Sequence, residues 1–277
     1  MYLRLAGTIT SLLKGCAILG RNRNPNRASK EAAGTLIFRS ADGRTLTTED
    51  LRGATDRFRY EIIGEGSVPA EAESLHRQGR EAGASGDYKR ALELLEHASQ
   101  LAPQWPYPVY DSAYTYLLMD DYHAARRYYW KTIELSPRGF FTAITALDTL
   151  HREEEGELPV GTYLAYVSLE WLDDPAEKSE AVHMLVKQTS QFAPAWKELA
   201  AITDDNNERL AMIDKGLAAH PDAETKGLLQ INKALILNLK GDRDAAIRLL
   251  GEFALDPNST FGTEHSAKSA LAILLNR

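Results

Sequence analysis

From Ala72 to Pro137 the apolar residues recur three and four positions apart, the spacing of one face of an α-helix. Leu75, Gly79 and Ala82 mark a first helix, broken at Gly86-Asp87; Ala91, Leu94, Leu95, Ala98 and Leu101 mark a second. Gly86 takes the left-handed backbone of a helix end without a steric penalty, and Pro103 cannot continue a helix because it lacks the N–H donor. The pattern then returns at a fixed offset of 34 residues, which aligns Gly79 with Ala113, Ala91 with Ala125, Leu95 with Tyr129 and Pro103 with Pro137. Small residues at 79, 91 and 98 leave room for a neighbouring helix, and the larger Leu95, Tyr116 and Tyr129 fill the spaces between. One such helix pair cannot bury its own apolar face, so stacked neighbours are required.

The segments GDYKRALELLEHASQLAP, from Gly86 to Pro103, and DDYHAARRYYWKTIELSP, from Asp120 to Pro137, resemble the second helix of the tetratricopeptide repeat. Gln78 and Ser112 depart from that family, which places large apolar residues there. The resemblance is strong over these two copies and weaker from there to the C-terminus. It implies a mainly α fold, an α-solenoid of antiparallel helix pairs whose first helices line a concave, peptide-binding groove. Carried onto this chain, the groove side comprises His76, Arg80, Tyr107, Tyr110 and Tyr114. Tyr110 and Tyr114 are four residues apart and share a helix face, where the alternative role is packing between neighbouring helices. The family's receptors for chaperone tails clamp a terminal carboxylate with lysines, an arginine and asparagines. Asp111 stands in place of one such asparagine, and its charge repels an acidic terminus. The expected ligand is therefore a neutral or basic, partly apolar protein segment.

Ahead of the repeats, residues 35–66 read as a small β-β-α-β head. Leu36 and Phe38 lie in a first extended stretch, and Asp42-Gly43 supplies hairpin turn chemistry. Thr48, followed by Glu49 and Asp50, reads as the start of a short helix. Phe58, Tyr60 and Ile62 then alternate with charged neighbours, as in a half-buried strand. Residues 1–34, polar and basic from Arg21 to Lys30, read as an arm and linker.

The solenoid is expected to fill residues 70–277. Helices are predicted over Phe140–Glu155, Gly161–Leu172 and Ala176–Gln191, the last opened by Pro175. By analogy with Pro103, Pro194 marks the end of a second-type helix. That leaves Phe140–Glu155 outside the strict alternation, with the pairing there open. Degraded repeats follow: a short helix around Trp196, another from Asn207 towards Pro221, and a pair meeting at Gly241-Asp242 and closing at Pro257. In a final helix, Thr263–Asn276, the residues Glu264, His265 and Lys268 are expected to face water.

The chain has 277 residues and a net charge of −7, which disfavours bulk attraction to nucleic acid. Residues 1–70 carry a balance of +4 and the remainder −11. The leader is then either a solvated tail or an arm that docks on an acidic surface. Cys16 is the single cysteine, so no intrachain disulfide forms, which fits a reducing, cytoplasmic setting. The stretch before it, Leu13-Lys14-Gly15-Cys16, resembles a lipoprotein cleavage site, although its lysine fits poorly; lipid anchoring through Cys16 is the alternative. No apolar run reaches the roughly 18 residues of a membrane span.

Catalytic signatures are missing from the sequence: there is no Walker A loop, GxGxxG, HExxH or GxSxG. The seven histidines are scattered without ligand spacing, and the Glu153–Glu155 run and Asp173-Asp174 suit solvated helix ends. No metal or cofactor is expected. These features favour a non-enzymatic adaptor, with a regulatory subunit docking on a separate enzyme through the N-terminal head as the alternative.

Overall fold

A computed structural model describes residues 35–40, 58–63 and 68–275. The strands β1 (Thr35–Ser40) and β2 (Phe58–Ile63) pair in a two-stranded sheet. The basic arm, the Asp42-Gly43 turn, the helix start at Thr48 and Cys16 lie outside the described residues. From Ala70 onward the described chain is helical and builds stacked pairs, divided after Leu135 into two compact units.

The first unit holds α1 (Ala70–Ala84), α2 (Tyr88–Leu101), α3 (Pro106–Leu118) and α4 (Tyr122–Leu135). Each pair turns in the same way. Gly86 has φ +85° and Asp120, its equivalent in the next copy, has φ +57°. The amide of Asp87 reaches back to the carbonyl of Ala82 at 2.9 Å, and that of Asp121 to Tyr116 at 3.0 Å. Each aspartate then caps the following helix, accepting from Arg90 N at 3.1 Å and from Ala124 N at 2.9 Å. Packing follows the small-to-large pattern. A Cβ on Gly79 would lie 2.9 Å from Leu95 Cγ, so α1 and α2 approach closely only because position 79 lacks a side chain. In the second copy Ala113 and Tyr129 are both fully buried. Polar Ser112, which departs from the family pattern, is buried with its hydroxyl donating to the Pro108 carbonyl at 2.8 Å.

The second unit holds α5 (Ala143–Glu154), α6 (Thr162–Ser168) running into a 3₁₀ turn (Leu169–Trp171), α7 (Pro175–Gln188), α8 (Ala193–Ile202), α9 (Asn206–Ala218), α10 (Ala223–Leu239), α11 (Arg243–Leu255) and α12 (Phe261–Leu275). The same turn geometry occurs a third time: Gly241 has φ +92°, Asp242 N bonds the Leu237 carbonyl at 2.9 Å, and the Asp242 carboxylate caps α11. The hub is α10, which packs against α5, α8, α9, α11 and α12. On one side Ile231 and Ala234 meet Ala246, Leu250, Ala267 and Ile273; on the other, Leu229 and Ile236 meet Ala200 and Ile213.

Three features of this unit differ from the sequence pattern. Pro194 does not close a helix; it sits in the first turn of α8, where its missing N–H leaves no intrahelical bond unmade. Helix α5, whose pairing the sequence left open, docks on α10, an element far along the chain. Glu264 does not simply face water: its carboxylate binds Arg138 and Lys268, and Arg138 also donates to the Ser259 carbonyl at 3.1 Å. These bonds join the segment ahead of α5 to the start of α12, where Phe261 N donates to the Arg138 carbonyl at 2.7 Å.

Candidate functional site

Three of the five residues expected to line a groove come together between α1 and α3. His76 projects from α1 and is buried; its Nε2 lies 2.7 Å from Asp111 Oδ2 on α3. Arg80, one helical turn further, is half exposed and brings Nε to 3.6 Å from the same oxygen. Tyr107 stands edge-on to the His76 ring with centroids 6.0 Å apart. Trp105, which the sequence pattern did not single out, completes the cluster, 4.8 Å from His76 and 5.7 Å from Tyr107. A tryptophan directly before Pro106, at the N-cap of α3, was the available signal.

The other two residues serve differently. Tyr110 packs edge-on against the fully buried Tyr129 of α4, with centroids 5.6 Å apart, so this ring turns towards the α3–α4 pair. Tyr114 is half-buried one turn along α3. Asp111 also reads differently in three dimensions. Its carboxylate is engaged by His76 and Arg80, so its charge is balanced within the protein and repels an acidic ligand less than the isolated residue would.

The second unit holds several buried polar groups. Lys197 Nζ on α8 donates to the Tyr166 hydroxyl on α6 at 2.6 Å and pairs with Glu198 at 3.0 Å. Burial pushes the Tyr166 phenol up. Burial alone would lower Lys197, but Tyr166 and Glu198 outweigh it and hold the ammonium well above the usual lysine range. A nucleophilic lysine needs the opposite shift, so this pair joins two helices and does not activate an amine. Glu153, expected at a solvated helix end, is instead buried. It accepts from the backbone amides of Gly161 at 2.8 Å and Tyr163 at 2.7 Å, holding the start of α6. Among the described residues no group of three or more His, Cys, Asp or Glu side chains is arranged to hold a metal ion, and no helix is long and apolar enough to cross a membrane.

A family model described as the tetratricopeptide repeat matches residues 72–104, which span α1, the Gly86-Asp87 turn and α2. Residues 72–104 are thus a tetratricopeptide repeat. No curated protein matches the chain. Among solved structures it is similar to MamA from Desulfovibrio magneticus RS-1, at 13% identity over 67% of this chain and 94% of that one, with a TM-score of 0.33. It is also similar to TTC0263, a thermophilic repeat protein of Thermus thermophilus, at 17% identity over 73% and 99% of the two chains, with a TM-score of 0.32. A third is YrrB, described as a repeat protein with an unusual peptide-binding site, at 13% identity over 76% and 98%, with a TM-score of 0.28.

Proposed function

We propose that this tetratricopeptide repeat protein is a non-enzymatic adaptor that binds a segment of a partner protein across the α1–α3 face of its first unit. The supporting observation is the placement of Trp105 and Tyr107, both half-buried, beside the half-exposed Arg80, with the partly buried His76–Asp111 pair joining the two helices. Aromatic rings and arginine offer large contact area around a polar handle, the combination enriched at binding hot spots. The rings accept an apolar side chain, and the guanidinium edge donates to a backbone carbonyl. The ligand class is a neutral or basic, partly apolar segment, consistent with the net charge of −7.

The test is affinity purification with mass spectrometry, comparing the wild type with a Trp105→Ala/Tyr107→Ala variant. The partner should disappear in the variant while its helical circular dichroism is retained. Undiminished recovery of the same partner by the variant would overturn the assignment to this face.

A further inference from the structure

We infer that α5 is a latch that opens and closes on the rest of the second unit as one body, while α6 to α12 stay packed. The backbone marks its two ends. Gly139 has φ +93° and Phe141 φ +49° just ahead of the helix; Gly156 has φ +75° and Gly161 φ +88° just after it. Glycine takes these angles without a steric penalty, whereas phenylalanine is strained there and keeps the angle only because its surroundings impose it. The flanking segments are themselves anchored. Phe140 and Leu158 are buried, and Arg138 is tied to Ser259 and Phe261 at the start of α12. A helix set between two such pivots can swing while the chain on either side stays in place.

Polar contacts hold α5 closed. Thr142 Oγ1 lies 3.0 Å from the Tyr163 hydroxyl of α6. The Thr145 amide donates to Glu224 Oε2 of α10, and the Thr145 hydroxyl sits between Glu224 and Asp222. Arg152 donates to the Gln191 carbonyl at 2.8 Å. The buried apolar side chains of α5 are only Ala143, Ala146 and Leu150. By contrast, α10 is held to α8, α9, α11 and α12 by two apolar clusters, and neither includes a residue of α5. Hydrogen bonds are exchanged for bonds to water at small net cost, while exposing an apolar cluster has no such compensation. The helix fastened by polar groups is therefore the one that parts first.

Glu224 sets how firmly the latch shuts. Closed, its carboxyl is buried, and burial together with Asp222 keeps it protonated up to about 8. Opened, it meets water and titrates near 4.5. The closed form thus holds a proton that the open form releases, so closure is firmest below the open-state value and weakens until pH passes about 8. Asp222 lies beside Glu224 on α10, and Asp148 faces it from α5 with Arg152 as its partner. Glu264, paired with Arg138 and Lys268, stands at the start of α12. From α8, α9 and α11 the residues that meet α10 are the apolar Ala200, Ile213, Ala246 and Leu250.

Native-state hydrogen exchange of the full chain, read amide by amide, tests this. The amides from Ala146 to Glu154 should share one protection factor, at least about tenfold below those of Leu229, Ala234 and Ile236 in α10. Corrected for the intrinsic rate, that factor should fall by about tenfold or more from about pH 5 to about pH 8, and Glu224→Gln should flatten the dependence. Thr145→Val keeps the side-chain shape without its hydroxyl; it should lower the α5 factor by about fivefold and leave the α10 amides unchanged. Equal protection of α5 and the α10 core overturns the inference, because the helix would then leave only when the whole unit unfolds. So does a pH dependence undiminished in Glu224→Gln, or a Thr145→Val effect that lowers the α5 and α10 amides in step.

Discussion

Thr145 on α5 and Glu224 on α10 are joined by two hydrogen bonds: Glu224 Oε2 accepts from the Thr145 amide at 3.0 Å and from its hydroxyl at 3.1 Å. The Thr145 hydroxyl also lies 3.0 Å from Asp222, the residue that caps α10. Through this cluster α5 is attached to the hub of the second unit. Both side chains are buried, and Glu224 Oε1 has no hydrogen-bond partner among the described residues.

The arrangement makes the second unit sensitive to alkali. Burial, reinforced by the neighbouring Asp222 carboxylate, pushes the Glu224 carboxyl up to about 8, although the Thr145 bonds pull it down. Unfolded, the same group titrates near the ordinary glutamate value of 4.5. Between these values the folded protein holds a proton that the unfolded chain has lost. Stability from this group is therefore fully present below the unfolded value and is lost as pH rises to about 8. Asp148, also raised by burial and by Asp222, acts in the same direction. Urea unfolding at about pH 5 and about pH 9 should show a loss on the order of a few kcal/mol at the higher pH, and Glu224→Gln should remove most of that difference.

Two glycines should respond oppositely to the same substitution. A Cβ on Gly227 of α10 would lie 2.1 Å from Thr263 Oγ1 and 2.9 Å from its Cβ on α12, whereas a Cβ on Gly251 of α11 would meet nothing within 4 Å. Gly227→Ala forces the two helices apart and should destabilise the unit by about 2–3 kcal/mol. Gly251→Ala removes a flexible residue from a helix interior and should stabilise by about 0.5–1 kcal/mol. Paired urea denaturation curves measure both effects.

Glu153 provides a test of how α6 is held. Burial raises its carboxyl, while the amides of Tyr163, Gly161 and Thr162 oppose that shift by binding the charged form. Glu153→Ala leaves buried amides without acceptors and should cost about 2–3 kcal/mol. Hydrogen exchange should quicken first at Gly161 and Tyr163. Glu153→Gln retains one acceptor oxygen and should fall between wild type and alanine.

Much of the local structure was legible because its causes are local. The Gly86-Asp87 turn combines a residue suited to positive φ with a capping carboxylate, and the same grammar recurs at Gly241-Asp242. Pro194 misled because proline disfavours a helix interior but suits a first turn, and sequence alone does not separate those uses. The candidate site was half legible. The family resemblance grouped His76, Arg80, Tyr107, Tyr110 and Tyr114 on one groove side, but Trp105 precedes the helix and carried no periodic signal.

The sequence by itself determined the helix pairs of the first unit, the glycine turns at Gly86 and Gly241, and the small-to-large matching of Gly79 with Leu95, since each depends on residues within a turn or a repeat of one another. Only the tertiary structure decided that Glu224 meets Thr145, that Arg138 reaches Ser259 and Glu264, and that Asp111 is engaged by His76. Those contacts join segments 79, 121, 126 and 35 positions apart. An isolated polar residue shows its type but not its partner, and only packing of the helices selects which groups share a buried space.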